Sequence, residues 1–118
     1  MKQIVKIFKA LSDETRLKIL IILSKRKICA KGMAKHLNIS EAAVSQHIKI
    51  LKDSGIIVGE KVGYYVLYHL QEEKFSEIVE FIQQVKNNSF NKEDSLWLKV
   101  PGNCRTTCKL NKNRCCQK

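Results

Sequence analysis

Ile4, Ile7, Phe8 and Leu11 recur at the spacing of one face of an α-helix, and Val5 widens their stripe, so the chain opens on a short amphipathic helix. Ser12 stands where it can cap a second helix, with Asp13 and Glu14 placed where the helix dipole favours anions. That helix runs through Leu17, Leu20, Ile21 and Ser24 and ends among Lys25, Arg26 and Lys27, cations suited to a C-terminus. A third short helix covers roughly 30–37. Asn38 tolerates the positive φ of a tight turn, Ser40 caps a fourth helix, and that helix ends at Ser54 with Gly55 beyond it. The period then changes. Ile56, Ile57, Val58 and Val62 precede Gly63, and the run from Tyr64 to Leu70 is rich in aromatic and β-branched residues, which reads as a two-stranded hairpin. Phe75, Ile78, Val79, Ile82 and Val85 restore helical spacing, with Phe81 off the stripe, so this fifth helix carries more apolar surface than one core needs. Asn87, Asn88, Ser89 and Asn91 mark a boundary. Leu96, Trp97, Leu98 and Val100 form a brief apolar patch before Pro101-Gly102, and the remainder is polar and cysteine-rich.

The expected fold class is mainly α with a small β-hairpin: a winged helix-turn-helix in the order α-α-α-α-β-β-α, with a cysteine-rich C-terminal tail. Residues 1–88 are expected to form a DNA-binding and dimerisation domain and residues 89–118 a candidate metal-binding segment. A length of 118 residues suits one small domain, and 44% hydrophobic with 28% charged residues excludes wholesale disorder. The longest uninterrupted apolar run, Ile19 to Leu23, falls far short of the ~20 residues that cross a bilayer, so no membrane association is expected. Lysines spaced through the amino-terminal apolar positions rule out the core of a secretory signal, and a cytoplasmic protein is expected.

Charge is unevenly distributed. The chain carries 22 Lys+Arg against 11 Asp+Glu, a net charge of +11. Met1 to Gln71 holds 13 basic and 5 acidic residues, Glu72 to Asn103 holds 4 and 6, and Cys104 to Lys118 holds 5 and none. A basic amino-terminal module beside a more acidic region is what a polyanion binder with a separate dimer or effector region shows.

Two short helices joined by a tight turn and followed by a hairpin place the second of them for the major groove of duplex DNA. Ala34 is small where the helices cross, Ile39 plugs inward, and Val44, Ile48 and Leu51 form the buried stripe. Glu41, Ala42, Ser45, Gln46 and Lys49 then point outward. Ser45 and Gln46 can donate to and accept from base edges, Ala42 can touch a thymine methyl, Ser40 with the first amides suits a phosphate, and Lys49 neutralises another. His47, beside the buried stripe, is a packing residue and no base reader. Lys61 and Tyr64 bracket Gly63 at the wing tip, within reach of the DNA backbone or minor groove.

The run Ile39-Ser-Glu-Ala-Ala-Val-Ser-Gln-His-Ile-Lys-Ile-Leu-Lys-Asp-Ser-Gly55 with the Gly63-Tyr-Tyr wing resembles the ArsR/SmtB family of metal-responsive repressors, and Leu11-Ser-Asp-Glu-Thr-Arg-Leu-Lys-Ile-Leu20 resembles that family's second-helix opening. The resemblance spans about Ile4 to Val85. It implies a homodimer joined through its first and fifth helices, bound to a roughly palindromic double-stranded operator and released when an effector binds. The surplus apolar face of the fifth helix independently asks for a partner.

A cytosolic address turns the five cysteines away from a disulfide framework and towards metal or redox chemistry. The family's thiolate motif resembles Glu-Leu-Cys-Val-Cys-Asp, whereas this chain reads Lys27-Ile28-Cys29-Ala30-Lys31-Gly32, so that chelate is broken and Cys29 reads as a buried or half-buried thiol. The family's Asp/His site on the fifth helix has no counterpart, because Phe75 to Val85 contains no histidine. Cys104, Cys108, Cys115 and Cys116 lie among Arg105, Lys109, Lys112 and Arg114, cations that raise the thiolate fraction. Vicinal Cys115-Cys116 strains a tetrahedral zinc chelate, so a three-thiolate site for a soft ion fits better. Arsenite, As(III), is the preferred inducer; Sb(III), Cd, Pb and Hg follow, and a four-cysteine Zn site is a further alternative. The expected function is a sequence-specific transcriptional repressor released by such an ion. The alternative is a thiol-redox-responsive or metal-independent regulator on the same fold. An enzyme is not expected: the chain has no Cys-x-x-Cys and no phosphate-cradling glycine loop, and His36, His47 and His69 are scattered.

Overall fold

A computed structural model describes residues 2–89. Its elements are α1 (Lys2–Leu11), α2 (Glu14–Lys25), α3 (Ala30–Leu37), α4 (Glu41–Asp53), β1 (Ile57–Val62), β2 (Tyr65–Leu70) and α5 (Glu72–Asn87). The helices and the base of the hairpin close on one apolar core that includes Ile7, Ile19, Met33, Val44, Leu51 and Ile56. The expected winged helix-turn-helix order is therefore present in the described residues. Among them, no helix is long and apolar enough to cross a membrane.

The two strands pair antiparallel from Ile57↔Leu70 at the base to Val62↔Tyr65 at the tip. Gly63 takes φ +61° at the first of the two loop residues, as a type II′ hairpin requires, and the twist of such a turn matches that of the strands. A contact that the periodicity did not announce ties the wing to the helices. Ile28 bridges Tyr68 through two backbone hydrogen bonds, with N···O distances of 3.3 and 2.9 Å. At the end of α4, Gly55 adopts φ +84° and the buried Ser54 donates from Oγ to the Leu51 carbonyl at 2.7 Å. The helix thus closes without an orphaned polar group as the chain turns into β1.

Two local expectations are corrected. The cap of α2 is Asp13, whose carboxylate accepts from the Arg16 amide at 3.1 Å, and Ser12 instead donates from Oγ to the Lys9 carbonyl at 2.8 Å, closing α1. The buried face of α2 is Ile19, Leu20 and Leu23, whereas Leu17 and Ile21 are 46% and 59% exposed. On α1, Ile7 and Ala10 are buried, while Val5 and Phe8 reach solvent.

The boundary between the chain's two units falls after Gln83. Beyond it, Asn88 takes φ 54° while the Asn88 and Ser89 amides donate to the Val85 and Gln84 carbonyls at 3.3 and 3.0 Å, the pairing of a Schellman cap.

Candidate nucleic-acid interface

The turn between α3 and α4 is built from local chemistry. Asn38 adopts the left-handed conformation at φ 54°, and the Ile39 amide donates to the Ala34 carbonyl at 3.2 Å. Ser40 then accepts from the Ala43 amide through its Oγ at 3.1 Å, starting α4 in a fixed direction. Val44, Ile48 and Leu51 are buried beneath the helix, and Ala34 and Ile39 pack at the crossing. A helix seated on one apolar stripe presents the rest of its circumference outward.

On that outward side Glu41, Ala42, Ser45, Gln46 and Lys49 are all exposed, as is Ser40 at the N-terminus. Ile50, 43% exposed, also lies on the open surface, a position the periodicity did not single out. Lys61 is exposed near the hairpin tip and Tyr64 is completely solvent-accessible at the turn itself. Lys49 and Lys61 have no ion-pair partner within 4 Å among the described residues, so both ammonium groups are available to an external anion. Glu60, by contrast, is engaged with Lys27 at 3.6 Å. The arrangement offers a row of small hydrogen-bonding side chains flanked by cations, with an aromatic wing tip beside it, and such a row can read base edges between phosphate contacts.

His47 is half-buried, and its surroundings show more than packing. Its Nδ1 lies 3.4 Å from an Arg16 guanidinium nitrogen and 3.9 Å from the Asp13 carboxylate. Arg16 also donates from Nε to the Ala10 carbonyl at 2.7 Å. One guanidinium therefore joins the end of α1, the start of α2 and the middle of α4. Spacing cannot reveal this set, because His47 is 31 residues from Arg16; the only local signal is the Asp13/Arg16 pair one helical turn apart. The Arg16 amide holds the Asp13 carboxyl below the usual carboxylate range, desolvation opposes that shift, and the Arg16 and His47 charges add to it.

Replacing Arg16 by alanine is expected to cost about 2–3 kcal/mol, since the part-buried Ala10 carbonyl loses a charged donor and the contact to His47 is removed; urea unfolding measures it. Because the folded-state pKa of Asp13 is lowered, its contribution is fully present above the ordinary carboxylate pKa and is lost as pH falls through the lowered value. Asp13→Asn keeps a capping oxygen without the charge, so the stability difference between wild type and this variant should shrink on acidification.

Cys29 is half-buried at the N-cap of α3, where its side chain makes no capping hydrogen bond. It borders a cavity of about 330 Å³ whose walls include Lys31, Glu41, Tyr64 and Tyr68. Lys31 provides no second thiolate there, and among the described residues no group of three or more His, Cys, Asp or Glu side chains is placed to hold a metal. This part of the chain does not fit a thiolate metal site. Cys104, Cys108, Cys115 and Cys116 lie outside the described residues.

Comparison with known proteins agrees with this geometry. Residues 13–58 match the family described as bacterial regulatory protein, arsR family. The cadmium resistance transcriptional regulatory protein CadC homolog of Staphylococcus aureus is 40% identical over 78 residues, covering 65% of this chain and 64% of that protein. This chain thus spans just under two thirds of that relative. The transcriptional repressor SdpR of Bacillus subtilis is 34% identical over 85 residues, covering 72% of this chain and 94% of that protein. Among solved structures, an ArsR-like transcriptional regulator from Rhodococcus sp. RHA1 superposes with a TM-score of 0.69 at 26% identity, covering 74% of this chain and 82% of that one.

Proposed function

Because the chain belongs to the ArsR family of bacterial regulatory proteins, a non-enzymatic family whose helix-turn-helix binds DNA, we propose that it is a homodimeric repressor released from its operator by a thiophilic metal or metalloid. Each protomer lays α4 into the major groove of a half-site, with Ser45 and Gln46 at base edges, Glu41 and Ala42 beside them, and Ser40 and Lys49 on the backbone. Lys61 and Tyr64 of the wing approach the flanking backbone. The observation that carries this reading is the wholly exposed polar row of α4, mounted on a buried stripe and started by a capped tight turn. Pairing through α1 and α5 is supported by Val5 and Phe8 on one and Val79 and Ile82 on the other, all apolar and open to solvent.

The inducer binds at Cys104, Cys108, Cys115 and Cys116, in the segment 89–118. Three thiolates suit arsenite, As(III), with Sb(III), Cd, Pb, Hg and Zn as alternatives. The name of the S. aureus relative keeps cadmium foremost among these. An effector releases DNA only if it binds the DNA-competent conformation less well than the other one.

Fluorescence anisotropy of the full chain on DNA from its own promoter region tests the proposal. Arsenite or cadmium, titrated anaerobically, is expected to release the DNA. Cys→Ser at all four tail positions is expected to abolish release while leaving DNA affinity within about twofold, since the DNA contacts of this reading are carried by α4 and the wing. Undiminished release from the quadruple variant overturns the metal assignment, and release by peroxide alone assigns the thiols to redox sensing.

A further inference from the structure

We propose that the homodimer of the preceding section, on which this inference rests, is held in register by ion pairs in trans between a lysine ridge on α1 and a glutamate ridge on α5 of the second copy. On α1, Lys2, Lys6 and Lys9 follow one another at i, i+4 and i+7 and share one face. Together with Val5 they border one surface depression. On α5, Glu72 shares the face of Val79, and Glu73 and Glu80, seven residues apart, share a line about 100° further round the helix. All six charged side chains are exposed, and among the described residues none has an ion-pair partner within 4 Å. Glu77, in contrast, is already engaged with Lys74 at 3.6 Å.

Local helix physics opposes the lysine ridge. A cation in the first turn of α1 faces the positive end of the helix dipole, and Lys2 and Lys6 repel each other one turn apart. Nothing within α1 offsets this, because the helix contains no acidic residue. An external anion would. Two sources exist, DNA phosphate and the glutamates of a second copy, and the neighbouring side chains decide between them. The lysine ridge borders Val5, which is 43% exposed, and the glutamate ridge borders Val79, 52% exposed. A strip that is apolar beside cationic on one helix and apolar beside anionic on another is complementary to a second copy of the same chain. Under a two-fold axis each pairing is made twice. The charge pattern also works against packing α1 on α1 of the second copy, which would set lysine against lysine.

Sedimentation equilibrium of the full chain without DNA tests the pairing. A chain of net charge +11 that dimerised through apolar contact alone would associate more tightly as salt screens its self-repulsion. Ion pairs in trans predict the reverse, a dimer that weakens with salt. Lys2→Glu/Lys6→Glu/Lys9→Glu is expected to weaken the dimer by roughly tenfold or more, and Glu72→Lys/Glu73→Lys/Glu80→Lys likewise. The combined six-fold swap should return to within about threefold of wild type. Glutamine at the three lysines, a milder change for the helix, should reverse the salt dependence, leaving a dimer that tightens as salt screens the remaining positive charge. A salt-strengthened dimer, or a combined variant no better than either parent, overturns the pairing. So does loss of DNA affinity with an unchanged dimer, which assigns the lysines to phosphate. A wild-type chain that stays monomeric at every concentration instead overturns the dimer itself.

Discussion

Leu51→Ala is expected to remove about 2–5 kcal/mol of stability, a large share of the roughly 5–15 kcal/mol that holds a domain together. Leu51 is fully buried on the inner face of α4 and its carbonyl receives the Ser54 hydroxyl that closes the helix. Truncation opens a cavity in the layer that seats the reading helix, among side chains that can only partly collapse into it. Urea unfolding should show a lower midpoint with an unchanged slope. DNA affinity at low temperature should fall no further than the folded fraction does, because Leu51 faces the core. A variant that keeps wild-type stability would show that the core beneath α4 is not packed as described.

The opposite dissociation is expected for Ser45→Ala/Gln46→Ala/Lys49→Ala. These side chains are exposed and point away from the core, so the urea midpoint should stay within about 0.5 kcal/mol per site, and alanine is a favourable helix residue. Specific DNA affinity should fall at least about a hundredfold, since each good base contact is worth about 1–3 kcal/mol of discrimination. Losing Lys49 should also lower the salt slope by about one phosphate per protomer. Anisotropy on promoter DNA and on a scrambled duplex, each at two salt concentrations, separates the parts: Ser45 and Gln46 govern the ratio between the two duplexes, Lys49 the salt slope common to both. Retention of full specific affinity by the triple variant would overturn the assignment of α4 as the reading helix. Together with Leu51→Ala, this variant distinguishes a helix face that builds the fold from one that uses it.

The elements whose apolar residues fall on one stripe were legible from the chain. In α4 the alternation of Val44, Ile48 and Leu51 with polar neighbours admits a single orientation, and Asn38 and Ser40 announce the turn through their backbone chemistry. The face of α2 was not legible. From Leu17 to Leu23 every residue except Lys18 is apolar, so helical spacing is satisfied by more than one face. Packing selects Ile19, Leu20 and Leu23. Ser12 and Asp13 are both competent caps. Asp13 takes the role, its carboxylate accepting from the Arg16 amide, while the Ser12 hydroxyl donates to the Lys9 carbonyl at the end of the preceding helix.

The amino-acid sequence by itself determined the order of elements, the turn, the wing and the outward row of α4, because each depends on chemistry within one or two helical turns of the residue concerned. Tertiary structure alone decided what lies between elements distant in the chain: the Arg16 guanidinium joining α1, α2 and α4 at His47, the Ile28 bridge that fixes the wing to the helices, and which apolar residues of α1 and α2 remain at the surface. These are matters of which surfaces meet, and a period of 3.6 residues carries no information about the element packed on the other side.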